Sequence, residues 1–159
     1  MIRPYQKSDL AIVMDIANRA WSSIRKMSRQ ELGDKIADLM NPYGDDKSKG
    51  EQIRRQAEEA PEQFWICEEQ GKIVGFITFA VNKSAQYGEI LNNAADPDCG
   101  LKGIGQQMYK AVLEHFCAEG LKYAKVHTGL DWAHAPARRA YERAGFDRKL
   151  EHVTYYKEL

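Results

Sequence analysis

The sequence predicts an α/β fold, a mixed sheet with helices on both faces. Three observations carry that prediction. Runs rich in β-branched and aromatic residues, 64–68, 73–81 and 88–95, follow one another through turn-forming segments. Amphipathic stretches precede and follow them, with apolar residues three and four apart. The later chain then reads strand, glycine-rich turn, helix, strand, helix, strand, and elements alternating in that way stack in layers around one sheet.

Taken in order, residues 2–5 read as a first strand. Ser8 is placed to cap a helix carrying Leu10, Val13, Ile16, Ala17, Ala20 and Trp21 along one side. Ser28 and Glu31 form a capping box ahead of Leu32, Ile36 and Leu39, which predicts a second helix. Asn41-Pro42-Tyr43-Gly44-Asp45-Asp46 breaks the chain. Residues 49–60 are polar and charged, with Ile53 the only large aliphatic, and predict a solvated helix ended by Pro61. Glu69-Gln70-Gly71-Lys72 is a hairpin turn between the strands at 64–68 and 73–81, and 82–87 is a loop leading to the strand at 88–95. The helix starting near Ile104 buries Met108, Tyr109, Val112, Leu113 and Phe116 and ends by Gly120. Residues 122–129 alternate as a strand, 135–143 form a short helix with Pro136 in its first turn, and 146–149 and 152–157 predict a last pair of strands. No repeat or linker divides the 159 residues, so one domain spanning 1–159 is expected.

Composition narrows the function. Lys+Arg and Asp+Glu both number 23, a balance that argues against a nucleic-acid binder working by phosphate neutralisation. No apolar run reaches membrane-spanning length, so no membrane role is expected. Cys67, Cys99 and Cys117 are odd in number and far apart, which fits reduced thiols in a cytoplasm, and no Cys/His cluster has metal-ligand spacing.

The chemistry concentrates in Gly100-Leu101-Lys102-Gly103-Ile104-Gly105. A helix start offers unpaired N–H groups and the positive end of the macrodipole, and glycines let a ligand approach the backbone. The stretch therefore reads as an anion cradle for a phosphate or pyrophosphate. It matches neither a P-loop nor a dinucleotide fingerprint, since Gln106-Gln107-Met108 follows where a third glycine would be needed.

The segment resembles the acyl-CoA-binding motif of the GCN5-related N-acetyltransferases (GNAT), Gln/Arg-x-x-Gly-x-Gly/Ala. Gly103 and Gly105 stand on its two small positions, and Gly100 stands where Gln or Arg is usual. A second landmark of that family, Asn-x-x-Ala-x-x-x-Tyr-x-x-x-Gly-Phe, is matched by Ala137, Tyr141, Gly145 and Phe146, with His134 in place of Asn. The resemblance implies a mostly antiparallel central sheet of six to seven strands and direct transfer of an acetyl group from acetyl-CoA to an amine, with no metal. It implies that Leu101, Lys102, Gly103, Ile104, Gly105 and Gln106 cradle the cosubstrate, that main-chain N–H groups of Asn93, Ala94 and Ala95 polarise the thioester, and that His134 meets the CoA arm. It also implies that Tyr141 is the general acid and Glu89 the base; Asp131 is a fallback, and His134 and His127 are alternative bases because imidazoles titrate near neutrality. Trp21, Tyr43, Trp65 and Trp132 are candidates for the acceptor wall. The acceptor is expected to be a small-molecule or protein amine, and a homodimer is compatible with the fold. A non-catalytic acyl-CoA-binding regulatory module is the rival.

Overall fold

The computed structural model describes residues 1–159. Five strands pair in the order β1 (Ile2–Pro4), β2 (Phe64–Glu69), β3 (Lys72–Asn82), β4 (Tyr87–Ala95) and β5 (Tyr123–Val126). The first four are antiparallel neighbours, and β5 runs parallel to β4. Helices α1 (Leu10–Ala20) and α3 (Ser48–Glu59) pack on one face, and α4 (Ile104–Ala118) and α5 (Ala135–Arg143) on the other. α2 (Ser22–Met40) joins α1 to the segment before α3. Each face has its own core. Val13, Ile16, Ile53, Phe64 and Phe76 fill the first, and Ile77, Phe79, Ile90, Met108, Val112 and Phe116 the second.

The mixed sheet with helices on both faces is as expected, but the strand count is five and not six or seven. The runs at 146–149 and 152–157 form no ladder: most of their residues are exposed, and Val153, Tyr155 and Tyr156 have no apolar face to cover. Alternation identified residues able to pair, but the free edge of β5 does not take them up.

Two helices also depart from expectation. Ser28 caps nothing; α2 begins at Ser22 and kinks at Gly33, whose φ of 78° only glycine adopts without strain. Leu39 is 83% exposed, and Arg25, Met27 and Ala37 are the buried positions of α2. α3 is not a solvated helix. Its Ile53 and Ala57 enter the core, and Gly50 lets α3 press on α1, where a Cβ would lie 2.6 Å from Asn18 Nδ2. The sequence around Ile53 is polar because α3 is short and one-sided, with a narrow apolar stripe.

Ion pairs fix how α1 meets the sheet. Arg3 on β1 grips Asp9 through two bonds of 2.7 and 3.0 Å. Burial raises the Asp9 carboxyl, but the Arg3 guanidinium and the Gln6 N–H outweigh it and hold the group below its ordinary range. Asp9, accepting from the Gln6 N–H, thus organises the start of α1 that the sequence assigns to Ser8. At the other end, Arg19 binds Asp96 and Asp98, both at 2.6 Å, and so ties α1 to the loop between β4 and α4.

Candidate functional site

β4 does not stay paired on both sides. Its parallel pairing with β5 covers only Tyr87 to Ile90, against Tyr123 to Val126. Past Ile90 the two strands part and open a wedge between β4 and β5. A bulge in β4 sits at the same level, where Leu91 and Asn92 together oppose Thr78 between the Ile77–Asn93 and Phe79–Ile90 pairs. The extra residue resets the alternation. Asn92 therefore faces α3 while Asn93 faces α4 and α5, so adjacent side chains serve opposite sides of the wedge.

The main-chain groups along the wedge follow from the ladder. The Asn92 N–H is bonded to Thr78 Oγ1 at 2.9 Å and the Asp96 N–H to the Val74 carbonyl at 2.8 Å, both toward β3. Alternation then turns the Ala94 N–H toward β3 as well and directs those of Asn93 and Ala95 into the wedge. Of the three amides expected to act together, two remain open.

On the α4 face, Tyr109 donates to Asn93 Oδ1 at 2.8 Å and Asn93 Nδ2 donates to Tyr141 Oη at 3.0 Å. The Tyr141 oxygen thus accepts from the Asn93 amide. Tyr141 is only 7% exposed. Burial pushes its phenol up, against the lowering effect of hydrogen bonds with Asn93 and Tyr109, so it is protonated at neutral pH. Burial likewise pushes Tyr109 far up.

The cradle lies beside this pair. Gly103 is the residue before α4, with φ 82° and nothing within 4 Å of where a Cβ would stand. The first main-chain bond of α4 runs from the Gln107 N–H to the Gly103 carbonyl at 3.0 Å. The N–H groups of Ile104, Gly105 and Gln106 are left without a partner, and no side chain caps them. Three open amides at the positive end of a 15-residue helix fit a phosphate group. Leu101 and Lys102 are exposed in the turn. The Gln106 side chain is not available to a ligand, because its Nε2 donates to the Ala140 carbonyl at 2.8 Å and pins α5 to α4.

The other candidates are placed differently. His134 Nδ1 lies 2.7 Å from Asp131 Oδ2, so one side of the ring is engaged within its own loop. Burial raises the Asp131 carboxyl, but the hydrogen bonds from His134 hold it below its ordinary range, which makes it a poor proton acceptor. Glu89 is ion-paired to Lys125 at 3.0 Å, on the side of β4 opposite Ile90. The His127 ring lies 6.3 Å from that of His152. Trp65 packs against Phe79 and His115, and Trp132 is 56% exposed on a loop.

Trp21 and Tyr43 do share a wall. They line an open cleft of about 730 Å³ on the α3 side of the sheet, with Leu91 and Asn92 of β4 at its base. Lys49, 9% exposed, reaches into it from α3, donates to Asn92 Oδ1 at 2.6 Å and to Gln52 Oε1 at 2.8 Å, and lies 4.1 Å from the centre of the Trp21 ring. Burial, with a smaller contribution from Arg25, pulls its ammonium down from 10.5 to about 8. Sequence reasoning missed Lys49, Arg25, Tyr109 and the Asn93 side chain. The visible signal was the Asn92-Asn93 pair inside an otherwise apolar strand.

Residues 21–146 match the family model described as acetyltransferase (GNAT) family. Over 98 residues the chain is 29% identical to a mycothiol acetyltransferase of Segniliparus rotundus, which takes in 59% of this chain and 36% of that protein. It is 32% identical over 103 residues to the S-(2-succino)cysteine N-acetyltransferase of Bacillus subtilis, covering 58% of this chain and 62% of that one. The chain thus spans about a third of the length of the mycothiol acetyltransferase it matches. Among solved structures, the PaiA N-acetyltransferase of Thermoplasma acidophilum in complex with coenzyme A superposes with TM-score 0.70 at 16% identity, over 94% of this chain and 90% of that one. Ard1 of Thermoplasma volcanium superposes with TM-score 0.65 at 21% identity, over 94% and 84%.

Proposed function

The chain belongs to the GNAT family of acetyltransferases, and from that premise we propose that it transfers an acetyl group from acetyl-CoA to a primary amine. The observation that carries the proposal is the Tyr141 phenol, held by the Asn93 amide beside the open wedge and next to three uncapped amides at the start of α4. Acetyl-CoA supplies a thioester whose C–S bond breaks as a bond forms between the acyl carbon and the acceptor nitrogen.

The residues divide the remaining work. The N–H groups of Ile104, Gly105 and Gln106 hold the diphosphate, with Leu101, Lys102 and Gly103 shaping the turn. The N–H groups of Asn93 and Ala95 face the wedge and are the donors for a developing oxyanion. Tyr141 gives its proton to the departing thiolate, and Asn93, donating to the same oxygen, stabilises the phenolate left behind. Glu89 takes the proton lost by the amine through solvent, since Lys125 occupies its direct approach. His134, at the start of α5, borders the CoA arm. The acceptor is a small-molecule amine, a reading supported by relatives named for mycothiol and S-(2-succino)cysteine.

The experiment is calorimetric titration with CoA, then release of free thiol from acetyl-CoA over a panel of amines. Saturable CoA binding and amine-dependent thiol release are expected. Absence of CoA binding sinks the proposal. Binding with no turnover on any amine supports the non-catalytic module, which Gly100 in place of Gln or Arg also favours.

A further inference from the structure

Two cations are buried in the wall of the α3-side cleft, and no carboxylate pairs with either. Arg25, 6% exposed, hydrogen-bonds the main-chain carbonyls of Asp45 and Asn18 and the Asn18 side chain. Lys49 is held by the neutral oxygens of Asn92 and Gln52 and by the face of the Trp21 ring. A third cation, Arg55, lines the same cleft without an ion pair, and Glu59 is the one acidic group there. Tyr43 is the remaining titratable side chain in its wall. Arg3, Arg19, Arg29 and Arg54 are matched to carboxylates, whereas Arg138, like Arg25, is held by main-chain carbonyls. Burying an ammonium without a counter-ion is unfavourable, and such a group is retained where a charge arrives from outside.

The position of the cleft says what that charge belongs to. Asn92, which Lys49 touches, precedes Asn93, which holds Tyr141 on the far side of the wedge. The cleft and the general acid therefore open on opposite sides of the same two residues of β4. A molecule seated on Lys49 is within reach of the wedge from the face that the CoA cradle does not use.

We propose that this cleft binds the acceptor and that Lys49, with Arg25 and Arg55 behind it, takes a carboxylate of that acceptor, so that the substrate is an amine carrying a carboxylate, of the α-amino-acid type. The assignment rests on the acetyltransferase reading above and adds the acceptor's charge to it. It sets aside polycationic acceptors such as polyamines, which would meet two buried like charges. Lys49 is a positioning and specificity residue and makes no contact with the acyl group.

The test uses S-(carboxymethyl)-L-cysteine and its carboxylate-free counterpart S-ethylcysteamine, with spermidine as the cationic control. Direct binding to the intact protein, by calorimetry in the presence of CoA, needs no turnover. The carboxylated amine is expected to bind about 100-fold more tightly than S-ethylcysteamine, a preference that Lys49→Met abolishes and Lys49→Arg partly restores, as for a buried charge-assisted contact. Acetyl transfer should follow the same order in KM, with kcat for the Lys49→Met protein changed less than KM. Equal binding of the two amines by the unaltered protein, or preferred binding of spermidine, overturns the proposal whether or not any amine is acetylated. Preferred binding of the carboxylated amine with no acetyl transfer would leave the cleft assignment standing and count against the acetyltransferase reading alone.

Discussion

Removing the Lys49 charge should change how stability depends on pH. The ammonium sits at about 8 in the folded protein against 10.5 ordinarily, with burial as the main cause and Arg25 adding to it. Below pH 8 it is charged in both folded and unfolded chains, and the folded state bears the whole cost, about 3 kcal/mol. Between 8 and 10.5 the folded protein releases the proton first, so the unfolded chain binds more protons and stability rises with pH. Integrated over the two values, the wild-type protein should gain roughly 2 kcal/mol on Lys49→Met between pH 7 and 9.5. The variant also leaves Asn92 Oδ1 and Gln52 Oε1 without a donor, which shifts its absolute stability but not this slope. Groups common to the two proteins cancel in the comparison. Urea unfolding of both at pH 7, 8, 9 and 9.5 measures the difference directly. Parallel curves, or a wild type that loses ground on the variant as pH rises, would refute the claim that this charge is held at a cost.

Other consequences follow from the same geometry. Tyr141→Phe should lower kcat about 10- to 1000-fold with CoA affinity little changed, as expected for loss of a general acid; an unaltered kcat would take Tyr141 out of the reaction. Asn93→Ala should lower kcat by a smaller factor, because it strips the partner of both Tyr109 and Tyr141, and the effect should largely vanish in a Tyr141→Phe background if the two act as one unit. Gly103→Val forces a branched side chain into φ 82°, costing about 1–2 kcal/mol of stability and weakening CoA binding; affinity equal to wild type would move the cradle elsewhere. Gly88→Ala tests packing alone: its Cβ would fall 2.4 Å from the Phe116 ring, so urea unfolding should show a loss of about 1–3 kcal/mol with the site untouched.

Much of the fold was legible because local and global signals agreed. The strands of the sheet centre carry the β-branched and aromatic residues that period-two reading detects, and α4 carries its apolar stripe on the side that meets β3 and β4. Legibility failed where burial was decided by a neighbour. The polar surface of α3 gave no hint that Gly50 and Ile53 would press against α1 and the sheet. The runs after Gly145 alternate like strands, yet they stay unpaired although β5 has a free edge, so alternation alone does not commit a segment to the sheet. Ser28 carries the sequence mark of a helix start but lies inside α2, which had already begun at Ser22.

The site divides along the same line. Gly103 and Tyr141 stand at positions whose role is fixed by a motif of contiguous residues, so sequence was enough to pick them out. Asn93 and Lys49 acquire their roles through one bulge. Counted from Ile90 in regular alternation, Asn92 would face α4 and Asn93 would face α3, so the extra residue opposite Thr78 sets the faces on which they meet Lys49 and Tyr141. A bulge leaves no mark in a single sequence beyond the oddity of two asparagines in a buried strand. The bulge also lies where β4 leaves β5, so one irregularity opens the wedge, frees the Asn93 amide and sends two adjacent side chains to opposite faces. Deleting Asn92 leaves Asn93 opposite Ile77 and Leu91 alone opposite Thr78, so it should strip Lys49 of its partner and raise the KM for the acceptor while Asn93 keeps Tyr141, whereas Tyr141→Phe should disable the acid alone.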